Sequence, residues 1–228
     1  MQNLTLLHLL DLSDNHFNGN INFSQLSSLT SLEYLSLSNN AFLNPITLSS
    51  FSNLSNLQVL LSDNNKVDFE PHSNTWIPSF QLMVLQMSNC SFNSAPPRFL
   101  QYQYDLRAID LSHNNLVGKF PTWLFENNTR LEILILKSNS LTGPFMVPYG
   151  IHPNITHIDI SDNKLRGPIP TNFGLVFPNL DYLNMSKNEF EGSIPSSFGN
   201  LKVVFILDMS ENHLSGKILV NFTMGCYS

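Results

Sequence analysis

The 228-residue sequence predicts an α/β repeat solenoid: a horseshoe of about nine coils with a parallel sheet on its concave wall and a mostly irregular or 3-10 convex side. Three observations predict it. A leading apolar position returns at Leu7, Leu32, Leu57, Leu82, Leu106, Leu131, Ile155, Leu180 and Val204, each 24 or 25 residues after the last. Inside every unit apolar and polar residues alternate, as Leu183 and Met185 do around Asn184, which is the period of a half-buried strand. A further position reads Asn15, Asn40, Asn65, Cys90, Asn114, Asn139, Asn163, Asn188 and Asn212.

The stretch Leu180 to Leu201, LDYLNMSKNEFEGSIPSSFGNL, writes the unit out in full as L-x-x-L-x-L-x-x-N-x-L/F-x-G-x-I-P. Its first half predicts one short parallel strand per coil. The asparagine then falls where the chain turns, and its amide can pair backbone groups of the adjoining coil that would otherwise be buried unpaired. Stacking makes these side chains a ladder. Cys90 fits the same slot but bonds weakly, so the ladder is expected to be softer there. Glycines recur in frame at Gly19, Gly118, Gly143, Gly167, Gly192 and Gly216, and mark the next turn.

These motifs resemble leucine-rich repeats, and the G-x-I-P extension in Gly167 to Pro170 (GPIP) and Gly192 to Pro195 (GSIP) is similar to the plant extracellular subtype. Segments such as FQLMVLQMSNC (Phe80 to Cys90) and LDMSENHLSGKI (Leu207 to Ile218) look like ectodomains of plant leucine-rich-repeat receptor-like proteins. The resemblance implies a cell-surface address, a peptide or protein ligand, and a membrane receptor kinase as co-receptor. It also implies a signal peptide, a Cys-containing N-terminal cap, a C-terminal cap, a membrane helix and a short tail. The sequence carries none of these patterns, which makes a partial gene product with uncapped end coils the expectation. One continuous domain is expected over residues 1–218. Residues 219–228 (LVNFTMGCYS) leave the pattern and are expected to form a divergent, disordered tail.

Charged residues make up 12% of the chain, about half the usual share, and the net charge of −6 argues against nucleic acid as a partner. No run of about 18 apolar residues predicts a spanning helix, so this chain is not expected to insert into a membrane. Cys90 and Cys226 lie in the fourth unit and beyond the ninth, about five strand spacings or roughly 24 Å apart, too far to pair. Sequons begin at Asn3, Asn22, Asn53, Asn89, Asn127, Asn154, Asn184 and Asn221. Asn53, Asn127 and Asn154 fall between strands and are the expected glycan sites. A glycan on Asn184 would block the concave wall.

Function in such a stack belongs to the outward positions of the strands. One column reads Asp11, Ser36, Leu61, Gln86, Asp110, Ile135, Asp159, Asn184 and Asp208, and its neighbour Leu9, Tyr34, Val59, Val84, Ala108, Ile133, His157, Tyr182 and Ile206. Val59, Leu61, Val84, Ile133 and Ile135 give an apolar stripe suited to a peptide or protein partner. His157, Asp159, Tyr182, Asn184 and Asp208 give a polar, mainly acidic patch. The D-x-S frame around Asp110, Asp159 and Asp208 has a second reading, in which these carboxylates support the backbone instead of a ligand.

Catalysis and metal binding find little support. His113, His157 and Asp159 are the best metal candidates, but they are spread over two coil spacings, about 9 to 10 Å, so neither a metal nor a cofactor is expected. No G-x-S-x-G elbow or phosphate-binding glycine loop occurs, and the carboxylate pairs lie on an open sheet with no pocket to separate their pKa values. Trp76 and Trp123 fall between strands, where they would fill the convex layer or meet a co-receptor. Three functions follow: a receptor ectodomain sensing a ligand, a soluble inhibitor similar to plant polygalacturonase-inhibiting proteins, or a non-functional receptor remnant.

Overall fold

The structure, a computed structural model, describes residues 4–19, 23–68 and 77–218. The expected tail, Trp76, Cys226 and the sequons at Asn3, Asn22 and Asn221 lie outside them. Each coil gives one three-residue strand to a nine-stranded parallel sheet: Leu9–Asp11, Tyr34–Ser36, Val59–Leu61, Val84–Gln86, Ala108–Asp110, Ile133–Ile135, His157–Asp159, Tyr182–Asn184 and Ile206–Asp208. We number the coils one to nine by these strands. Neighbours pair without a slip, Ile133 opposite His157 and His157 opposite Tyr182. The middle residue of each strand points inward, and from Leu35 to Leu183 these residues are fully buried.

The expectation of a single strand per coil is corrected by the structure. A second, five-stranded sheet runs along the stack through Val117–Lys119, Ser140–Gly143, Lys164–Pro168, Glu189–Gly192 and His213–Leu214. Its side chains are largely exposed, so it is held by backbone pairing more than by burial. Gly118, Gly143, Gly167 and Gly192 inside it have φ between 78° and 99°, a region that L side chains rarely adopt, and this is why glycine recurs there. The convex side is short 3-10 turns and two brief α-helices, Trp123–Asn127 and Phe173–Val176.

Every coil makes a left-handed corner just before its ladder residue, and coil four has a second left-handed residue at Ser91. Asp14, Asn39, Asn64, Asn89, His113, Ser138, Asp162, Lys187 and Glu211 all have φ between 52° and 58°, and the ladder residue follows directly. The Asn139 amide nitrogen donates to Leu136 O and Lys137 O of its own coil and to Leu111 O of the preceding one, at 3.0, 3.1 and 3.0 Å. Its carbonyl oxygen accepts the Leu116 N–H at 3.0 Å. Asn114, Asn163, Asn188 and Asn212 repeat this set of contacts between coils. Asn40 does so in coil two, whereas Asn15 in coil one reaches only carbonyls of its own turn.

Cys90 keeps the donor half of this pattern. Its thiol lies 3.1 Å from Ser62 O and 3.5 Å from Ser88 O. With no side-chain oxygen to offer, the Val67 N–H reaches the backbone Cys90 O instead, at 3.4 Å. Next to it, Asn65 Oδ1 and Ser62 Oγ are buried without a hydrogen-bond partner. Burial pushes the Cys90 thiol up to about 12.

Phenylalanines fill the outer layer of the core. Phe120, Phe125, Phe145, Phe173, Phe177 and Phe198 contact one another with ring centroids 4.6 to 5.9 Å apart. Trp123, expected to fill this layer, is only partly buried and packs against its edge.

Candidate functional site on the concave wall

Two columns of side chains leave the sheet on its open side, because the outer residues of each three-residue strand share a face. On coils three and four Val59, Leu61 and Val84 are half-buried and contiguous. Ala108 and Asp110 separate them from Ile133 and Ile135, so the apolar stripe is two patches. Ile133 is 36% exposed.

His157 and Tyr182 form the centre of the polar patch. Their rings stack with centroids 4.0 Å apart and planes at 4°. The Tyr182 hydroxyl reaches Asp159 Oδ2 at 3.5 Å, and the covered Asp159 is only 6% exposed. Burial lowers the His157 pKa below its ordinary value, against the opposing pull of Asp159, Asp181 and Asp110.

The other Asp159 oxygen has a structural task. Oδ1 accepts the Ser161 N–H at 3.0 Å and the Ser161 hydroxyl at 2.6 Å. Asn184 closes the same turn onto Ser186 through its amide oxygen, and Asp208 closes it onto Ser210. Asp11 does likewise with Ser13, and Asp110 accepts the Ser112 N–H. The bonds from Ser210, chiefly through its hydroxyl, hold the Asp208 pKa below the usual carboxylate value.

Sequence reasoning passed over Asp181. It is exposed one residue before Tyr182 and adds to the negative potential at His157. The signal was its place beside the first column, repeated in every coil. His113 sits on its own left-handed corner away from that column, and no group of three potential metal ligands occurs among the described residues. Asn53, Asn127 and Asn154 are all exposed between strands, and the Asn127 and Asn154 amides donate to Gln101 O and Thr129 O of the preceding coils.

The family profile described as Leucine Rich Repeat matches residues 31–54, 105–127, 154–175 and 179–201. Over 215 residues, 94% of this chain, the sequence is 43% identical to Cuscuta receptor 1 of Solanum lycopersicum. The chain belongs to the leucine-rich-repeat family of plant receptor-like proteins. It spans 17% of the length of that tomato relative. Among solved structures, the TDR receptor superposes over 97% of the chain and 38% of its own length, with TM-score 0.84 and 29% identity. The Arabidopsis receptor kinase HAESA, solved in complex with the peptide hormone IDA and the co-receptor SERK1, superposes over 96% of the chain and 40% of its own, with TM-score 0.76 and 30% identity.

Proposed function

We propose that this chain is a ligand-recognition segment of a plant cell-surface receptor-like protein, acting on the extracellular side by binding a peptide or an extended protein segment on its concave sheet. One observation carries the reading. Nine strands in unslipped register keep the inward column uniformly apolar, while the outward columns vary from coil to coil and lie on one continuous wall. Such a wall offers a long, continuous surface suited to an extended partner. The named relatives and the peptide-hormone complex of HAESA support it. By the same analogy the partners are a peptide or protein ligand and a receptor-kinase co-receptor. The solenoid is read as one domain over residues 1–218, with glycans on Asn53, Asn127 and Asn154.

The test is selection of a displayed peptide library on the purified chain, followed by substitutions on each face. Val59→Ser, Ile133→Ser and Tyr182→Ala on the concave wall should abolish capture. Glu126→Gln and Leu175→Ser on the convex side should leave it unchanged, and the reverse pattern would refute the assignment.

A further inference from the structure

We propose that the ligand presents a basic side chain, arginine or lysine, to coils six to nine, its stem at the Tyr182 end of the ridge Ile133, His157, Tyr182, Ile206 and its cation in the field of Asp181 and Asp208, which flank that ridge on either side. The proposal deepens the reading of the concave wall as the recognition surface and rests on it. Strand register sets Ile133 opposite His157, His157 opposite Tyr182 and Tyr182 opposite Ile206, so aliphatic and aromatic side chains line up without a break across four coils. Such a ridge accepts the alkyl stem of a long side chain and, at Tyr182, the cation itself.

Charge decides what lies at the end of that stem. Where the column residue closes the turn, it supplies one acceptor oxygen, and that oxygen need not carry a negative charge. Asn184 shows this, since its neutral amide accepts the Ser186 N–H and hydroxyl at 3.0 and 2.7 Å, against 2.9 and 2.7 Å for Asp208 and Ser210. The carboxylate at position 208 is therefore not required by the fold that surrounds it. Around it the strands of coils seven to nine carry Asp159 and Asp208, with Asp181 one residue before its strand, and the left-handed corners that follow add Asp162 and Glu211 with Lys187, itself 3.9 Å from Glu211. Arg107 and Lys137 stand outside this stretch, on coils five and six. A ligand carboxylate would meet a net negative potential, with Lys187 the one cation among these groups, whereas a guanidinium or ammonium complements it.

Geometry adds a spacing. Ile133 and Tyr182 are two coils apart, about 10 Å by strand spacing, which an extended peptide crosses in about three residues. A ligand apolar residue over Ile133 and Ile135 would thus precede or follow the basic one by about three positions.

The experiment selects phage-displayed dodecapeptides on the full chain, then measures affinity for synthetic copies. Selected peptides should be rich in arginine or lysine, and replacing that residue by citrulline or norleucine should weaken binding about tenfold or more. The double variant D181N/D208N should lose a similar factor with an unchanged melting temperature, because asparagine still closes the turn. Neutral or acidic peptides that bind equally well to D181N/D208N, yet fail on Ile133→Ser, would overturn the basic-ligand proposal and leave the concave reading standing. Failure to select any peptide, or capture untouched by every concave substitution, would overturn both.

Discussion

His157 and Tyr182 stack in parallel at 4.0 Å because strict pairing of their strands places one directly above the other. That contact shields Asp159 and half-buries the imidazole, so it ties the electrostatics of the wall to its packing.

The histidine therefore titrates below a free imidazole. Its depressed pKa favours the neutral form, so its contribution to stability is present above the ordinary histidine pKa and is lost as pH falls below it. His152, lowered by burial against Phe125 and Phe177, adds to the same acid-side loss. Proton NMR of the imidazole resonances should place both midpoints below the unfolded value. In Tyr182→Ala the His157 midpoint should rise, because its cover is gone; an unmoved midpoint would contradict the stack as the source of the shift.

Replacing Asn139 with alanine removes four hydrogen bonds at a buried corner, two of them to the preceding coil, at Leu111 O and the Leu116 N–H. The expected cost is about 3 kcal/mol, against less than about 0.5 kcal/mol for Ser138→Ala one residue away. Urea denaturation of the two variants compares them, and equal midpoints would show that the ladder does not hold the stack.

Gly174 is a packing requirement. A Cβ built on it would lie 2.0 Å from Ser197 O and 2.7 Å from Ser197 C, both backbone atoms of the next coil, while its own N–H donates to Ser197 Oγ at 3.2 Å. Gly174→Ala should destabilise by about 3 kcal/mol or more. A melting temperature at the parent value would mean that the two convex segments do not approach this closely.

The Cys90 thiol, held near 12, should resist alkylation in the folded chain at pH 8 and react once urea unfolds it. In a Cys226→Ser background, mass spectrometry after iodoacetamide treatment reads this one site. Rapid labelling without denaturant would place Cys90 outside the core.

The nine strands and the corner asparagines were legible because both depend on alternation and period, as at Leu183, Met185 and Asn188, which a sequence displays directly. The second sheet was not. Val117 to Lys119 is exposed along its whole length and pairs through backbone groups, so no apolar rhythm announces it. At the candidate site the columns were legible, and with them the neighbourhood of His157, Tyr182 and Asp159. The near-coplanar rings and the covering of Asp159 were not, since side-chain tilt arises only when two coils meet. Asp181 was overlooked because it precedes the alternating pair, although it faces the same solvent.

The corner amides reach no farther than the adjacent coil, and the left-handed residue before each of them takes many identities, from Asp14 to Lys187. A whole coil can therefore be duplicated, removed or exchanged by recombination without redesigning its distant neighbours. Length and reading surface can diversify between paralogues while the joinery stays constant.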